Sequence, residues 1–288
     1  MNRSHGLSFV QLHLAVILFG LAGIFGKWLS LSPVLIVWFR STLAALTLGL
    51  WRYFGHRPDT PVHRTERSRY LLSGGLLAAH WVTFFAAIQI STVTIGLLAY
   101  ASFPVFVSLL EPVLNRERLQ RRDVIAAIAA SGGMGLIVPE FAFANRITTG
   151  VLFGLAAGFT FAWLTVLNRR FRGQRDALTI AFYQDSGAAL WLLPGLIVCW
   201  QPLQGSDLLG LLALGIGCTA LGHTLFIQAV GQIKAITAAI SAALEPVYGI
   251  LLAFFLLSEI PDRRTLAGGL IILITVMYTS SHSVQTAH

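Results

Sequence analysis

Residues 102–122 and 244–264 can be laid over one another without a gap. Ser102-Phe103-Pro104-Val105-Phe106 falls on Leu244-Glu245-Pro246-Val247-Tyr248, Glu117 on Glu259, and Arg121-Arg122 on Arg263-Arg264. A chain that carries one pattern twice is built from two related units, and the fold of one half constrains the other. The halves are residues 1–145 and 146–288. In the second copy, Glu245 and Pro246 interrupt an apolar run long enough to cross a membrane. A carboxylate at that depth costs a few kcal/mol or more, and a proline there withholds a backbone donor. Such pairs are tolerated where they line a cavity inside the protein, which makes Glu245 a candidate functional group.

The rest of the chain is as apolar as this run. Of 288 residues, 56% are hydrophobic and 11% charged, a balance that excludes a soluble domain. The apolar runs cover about 12–31, 34–54, 70–90, 92–114, 123–140, 149–168, 177–200, 207–227, 234–257 and 264–281, each about 17–25 residues, the length of a membrane-crossing helix. No stretch is left for a globular domain, and the run beginning near Leu14, after a single Arg3, reads as an uncleaved first span. The net charge of +8 sits in short loops, where it sets topology rather than binding nucleic acid. Cys199 and Cys218 have no CxxC or ligand spacing, so no disulfide framework, metal or cofactor is expected.

Placing the N-terminus in the cytoplasm collects Arg3, the Arg52–Arg69 group, the Arg116–Arg122 group, the Arg169–Arg175 group and Lys234 on one side. Only Lys27, Arg146, Arg263 and Arg264 remain on the other, so both termini are expected inside. Five spans per half is an odd number, so the two halves enter the membrane in opposite senses. The expected fold is all-α: ten membrane helices in two inverted five-helix repeats around a central cavity, an arrangement shared by many secondary transporters.

Several polar groups lie inside the runs. Tyr100, Pro104, Ser108 and Glu111 share one helical face, as do Thr237, Ser241, Glu245 and Tyr248. Pro104 and Pro246 free the carbonyls of Tyr100 and Ala242 as acceptors, or simply kink their helices. Glu111 lies near the cytoplasmic end, within reach of the interface, Arg116 or Arg118. Arg40 lies well inside the second span, and its repeat equivalent is Gln184, beside Asp185. An ion pair with Asp185, snorkelling outward and contact with substrate are all open to it. His80 and His223 fall within one residue of each other in the repeat alignment. Each suits a proton-linked step or a neutral hydrogen bond between helices. Trp28, Trp38, Trp51 and Trp200 fit the interfacial belts. Trp163 lies deep, and with Tyr100 and His80 it either walls a cavity or packs. The glycines at 20, 23 and 26 and at 150, 154 and 158 offer small surfaces for helix contact.

The sequence has no P-loop, G-x-G-x-x-G, H-E-x-x-H or G-x-S-x-G motif, so neither an ATP-driven pump nor an enzyme is indicated. The G-L-A-G-I-F-G-K opening, the S-P-V-L-I-V-W-F-R-S-T-L-A-A-L second span, the L-E-P-V ninth span ending in Ser258-Glu259 and the T-L-A-G-G-L-I-I-L tenth together resemble the drug/metabolite transporter superfamily, of the ten-span EamA type. That resemblance covers both halves. It implies a cavity walled mainly by the third, fourth, sixth and ninth spans or their neighbours and the export of small metabolites, with exporters of amino acids, aromatic ones among them, and of organic cations and nucleobase-like solutes as relatives. Only the second repeat carries the mid-membrane carboxylate, so any carboxylate-based coupling is asymmetric.

The sequence is therefore read as a secondary transporter of the bacterial inner membrane. It exports small amphipathic solutes, foremost amino acids, through a site formed by His80, Tyr100, Pro104, Trp163, Ser241, Glu245 and Pro246. Arg40, Glu111, Asp185 and His223 serve as proton or ion-pair groups. The alternatives are an exporter of organic cations or drugs and a channel or scaffold without turnover. The expected partners are the solute and lipid, and a monomer is adequate.

Overall fold

The computed structural model describes residues 3–55, 62–115, 121–138, 142, 144–232 and 244–285. The described residues are helical throughout their length apart from short connections. In order, the helices are α1 (Arg3–Trp28), α2 (Pro33–Phe54), α3 (Arg64–Ile90), α4 (Val93–Tyr100), α5 (Phe103–Asn115), α6 (Arg121–Ile137), α7 (Arg146–Arg172), α8 (Ala177–Cys199) and α9 (Gly205–Leu212). A π-helical stretch over Ala213–Leu221 joins α9 to α10 (Gly222–Val230), and α11 (Glu245–Leu257) and α12 (Arg263–Gln285) close the bundle.

Side-chain caps fix where several of these helices begin. Ser32 Oγ accepts from Leu35 N ahead of Pro33, Thr92 Oγ1 from Ile95 N, Asn145 Oδ1 from Ile147 N, and Asp176 Oδ1 from Thr179 N. Each cap satisfies a backbone donor that the first turn leaves free. The run expected as one span over 92–114 is divided. α4 ends at Tyr100, two residues turn, and α5 starts at Phe103 with Pro104 in its first turn, where a missing N–H does no harm.

Among the described residues, six helical stretches are long and apolar enough to cross a membrane: 10–28, 33–54, 64–90, 93–114, 146–172 and 205–230. Val124–Ile137 and Glu245–Leu257 are apolar but shorter. The first half of the run expected over 234–257, with Thr237 and Ser241, lies outside the described residues. The outward faces are strongly apolar: Ile197 and Val198 are more than four-fifths exposed and Phe255 three-quarters. Large aliphatic and aromatic surfaces of this kind belong against lipid.

Small residues let the inner helices approach closely. A Cβ added at Gly74 of α3 would stand 2.5 Å from the Gln184 carbonyl and 2.7 Å from Ala188 N of α8. Along α7, Gly150 faces Ser91, Gly154 faces Ala99, and Gly158 faces the Tyr100 carbonyl and Ser102. The expected packing stripe thus seats α4 and its break against α7. These contacts bring α3, α4, α7, α8 and α10 together around one buried centre.

Candidate functional site

A cavity at that centre is lined by Phe19 and Ala22 of α1, Arg40 of α2, Leu77, His80, Trp81 and Phe84 of α3, Tyr100 of α4, Phe161 of α7, His223 of α10 and Glu245 of α11. About 20 Å³ of open space remains in it, enough for a single water. The helices are therefore closed around the site. A roomier groove of about 460 Å³ between α5, α6 and α7, lined by Val105, Leu109, Met134 and Leu155 among others, carries no ionisable side chain.

Arg40 is 1% exposed. Its Nε donates to Thr219 Oγ1 at 2.8 Å, and its guanidinium lies 4.1 Å from the centre of the Trp81 ring and 5.2 Å from that of Phe85. The guanidinium does not snorkel outward. Nor does it form the ion pair considered for it, since Asp185 instead faces His223, with Oδ1 3.3 Å from Nδ1. Gln184 itself donates to Ser73 Oγ and Asn168 Oδ1, in a separate polar cluster between α3, α7 and α8.

Glu245 opens α11, with Pro246 at the next position and both buried. The carboxylate is 2% exposed, its Oε2 has no hydrogen-bond donor, and the Tyr100 hydroxyl donates to the carboxylate. His80 Nδ1 donates to the Ala157 carbonyl at 3.0 Å, which fixes the ring against α7. Around it stand Phe161 at 4.8 Å, Tyr100 at 5.6 Å and Phe84 at 6.2 Å, ring centre to ring centre. Arg40 and Glu245 thus stand buried in the wall of one aromatic-lined cavity. In a medium of low effective dielectric, a charge on either side chain acts strongly on any ion that enters between them.

Not every expected residue gathers here. Trp163 stands two residues from Phe161 on α7, a turn of about 200°, and it is 40% exposed, packed on Phe159. Phe161 takes the place in the wall that Trp163 was expected to hold. Pro104 is buried behind the cavity at the start of α5, and Ser241 lies outside the described residues. Glu111 pairs at 2.6 Å with Arg169 of α7, away from the cavity. Beside the spans expected as its main walls, the lining includes residues of their neighbours α1, α2 and α10. Phe84, Phe161 and Thr219 were missed. Thr219 had one visible signal, a polar residue in the glycine-rich Gly215-Ile216-Gly217-Cys218 run, where a helix readily departs from α geometry.

The EamA-like transporter family model matches residues 7–138 and again 148–281. The chain belongs to the EamA-like transporter family. Among curated EamA-like relatives, the S-adenosylmethionine uptake transporter of Rickettsia felis is 26% identical over 76% of this chain and 74% of its own. An uncharacterized transporter of Archaeoglobus fulgidus is 29% identical over 70% of this chain and 74% of its own. The pseudopaline exporter CntI of Pseudomonas aeruginosa is 26% identical over 85% of each. A solved crystal structure 20% identical in sequence superposes with a TM-score of 0.67, covering 93% of this chain and 94% of that one. The chain is a multi-pass EamA-like membrane transporter.

Proposed function

We propose that this transporter exports zwitterionic amino acids, with aromatic ones among its solutes, by alternating access at the central cavity. The observation that carries the reading is the burial of Glu245 and Arg40 in the wall of one aromatic-lined cavity. Glu245 and the Tyr100 hydroxyl suit the α-ammonium, Arg40 suits the α-carboxylate through its planar donor fork, and Phe84, Phe161 and His80 suit an apolar side chain. S-adenosylmethionine, named for the Rickettsia felis relative, also presents an ammonium and a carboxylate on one carbon. Arg40 weighs against organic cations as the main solutes, because a buried like charge repels them.

The carrier is read as ten spans in two inverted repeats, with both termini in the bacterial cytoplasm. In that orientation Glu111–Arg169 and Glu66–Arg175 tie the cytoplasmic ends. Lys27, Arg146 and Glu259 hold the α3–α4 corner at the outer face: Lys27 Nζ donates to Ser91 O, Arg146 Nε to Ile90 O, and Glu259 accepts from Val93 N and Thr94 N.

Counterflow in proteoliposomes tests the reading. Labelled neutral or aromatic amino acids are expected to enter vesicles preloaded with unlabelled solute, with saturation, and Glu245→Gln and Arg40→Gln are each expected to abolish this. Counterflow of organic cations alone would replace the amino acid with a cation, and no counterflow by any solute would remove the carrier reading.

A further inference from the structure

At the end of the bundle where α2 finishes and α3 begins, two arginines share one aromatic ring. Arg52, in the last turn of α2, places its guanidinium 5.2 Å from the centre of the Phe182 ring and 5.7 Å from that of Tyr183. Arg67, near the start of α3, lies 5.8 Å from the same Tyr183 ring. The packing underneath brings them together. Gly49 stands one turn before Arg52, and a Cβ there would come within 3.2 Å of Phe182, so its bare backbone lets α8 bring its rings under Arg52. Tyr70 stands one turn after Arg67, and its ring stacks on Tyr183 at 6.3 Å. Each guanidinium is attracted to the ring it lies over. The two like charges repel one another, however, unless an anion joins them.

The neighbouring carboxylates are committed elsewhere. Asp176, whose charge acts on Arg52, caps α8: Oδ1 accepts from Thr179 N and Oδ2 from Thr179 Oγ1. Glu66 Oε2 accepts from Arg175 and from His63 N. Among the described residues, the adjoining ends of α2, α3, α7 and α8 carry eight arginines against these two acids, and Glu111 of α5 is taken up by Arg169. The connection over 56–61 adds Arg57 and Asp59, which leave the surplus as it is.

The setting of the pair says where a further anion would come from. Leu50, Trp51, Tyr53 and Phe54, on either side of Arg52 in α2, are each more than half exposed. Aromatic and aliphatic side chains at the end of a spanning helix belong at the headgroup level of a bilayer, where an arginine beside them meets lipid phosphates. The planar fork of a guanidinium matches two oxygens of such a phosphate.

We propose that Arg52 and Arg67, on the platform of Tyr183, bind the phosphate of an anionic phospholipid. The bound headgroup offsets the repulsion between the guanidiniums and ties the end of α2 to those of α3 and α8. Because α2 and α3 also carry Arg40, His80 and Trp81 into the wall of the central cavity, the lipid steadies two of its walls from their ends. The site is independent of which solute the carrier moves.

Native mass spectrometry of the purified full-length protein in detergent tests this, with phosphatidylglycerol or phosphatidylcholine of the same acyl chains added. The wild type is expected to hold phosphatidylglycerol about tenfold or more tightly than phosphatidylcholine, and the double variant Arg52→Gln, Arg67→Gln to lose that preference. The double variant Arg64→Gln, Arg69→Gln removes as much charge from the same end of α3 and should stay within about threefold of the wild type. Equal losses in the two double variants would reduce the effect to diffuse charge and overturn the site, as would a wild type without preference. If the glutamine variant does not fold, Arg52→Lys with Arg67→Lys keeps both charges and gives up the forks. Binding weakened about threefold or more in that variant supports the site, and binding unchanged overturns it. Inorganic phosphate at the lipid's concentration should leave the lipid in place; displacement by it would assign the site to a free anion and overturn the lipid.

Discussion

Thr219 Oγ1 donates to the Leu214 carbonyl at 2.6 Å and accepts from Arg40 Nε at 2.8 Å. The first bond reaches back five residues, the spacing of a π turn, and turns the hydroxyl lone pairs toward α2. The local departure from α geometry and the aim of the guanidinium are thus one device.

Thr219→Val keeps the shape and removes the acceptor. A hydrogen bond to a charged group contributes about 1.5–3 kcal/mol. Half-saturating concentrations for solutes with a carboxylate are therefore expected to rise about tenfold or more, and those for amines without one to change little. Concentration-dependent counterflow with a matched pair, such as an amino acid and its decarboxylated amine, checks this. Equal losses for both would mean that Thr219 supports the fold alone.

On α7, Phe161 and Trp163 should respond differently to truncation. Phe161→Ala opens the aromatic box, with an expected stability loss of about 3–5 kcal/mol and altered preference among aromatic and aliphatic solutes. Trp163→Ala removes a ring that packs on Phe159 outside the cavity, so solute affinity should stay within about twofold, well under 1 kcal/mol. Competition assays with a solute panel decide between them.

Gly74→Val would push α3 from α8, because its Cβ would meet backbone atoms of Gln184 and Ala188. Overpacking of this kind costs about 1–3 kcal/mol, and here it acts on backbone that cannot swing aside. The expected result is a lower melting temperature in detergent. Gly132 has open space within 4 Å of its would-be Cβ. Gly132→Ala should therefore be neutral or gain up to about 1 kcal/mol from helix propensity.

Glu111 and Arg169 are partly exposed, at 29% and 49% for the side chains, and such pairs are worth about 0–1 kcal/mol. Glu111→Gln should leave the unfolding midpoint almost unchanged.

The helices themselves were legible because the apolar runs have the membrane's length and their ends carry strong signals, such as Ser32 before Pro33 and Asp176 before α8. The charged members of the site were legible for the same reason: Arg40 and Glu245 stand out in apolar runs, where a charge demands an explanation. Their partners were not. Repeat alignment sets Arg40 beside Gln184 and Asp185, but neighbouring helices are chosen by packing, and the hydroxyl that holds Arg40 comes from Thr219, far along the chain. Trp163 was misplaced because α7 is apolar on its lipid face and on its inner face alike. No polar stripe fixes its rotation, and the glycine stripe alone says which side is close-packed without saying which ring enters the cavity. The break before α5 was not legible as a break because a proline in an apolar run reads equally as a kink, whereas here Pro104 starts a new helix.

The cavity has room for one water, and in the orientation proposed above the α3–α4 corner held by Lys27, Arg146 and Glu259 faces the outside. Charges at the surface are screened by salt, whereas those in the core are not. Where that corner closes the carrier, ionic strength is a dial on how often it stands open to the outside. Apparent affinity scales with that open fraction, so added salt should tighten solute binding from the outer face even though no ion touches the solute.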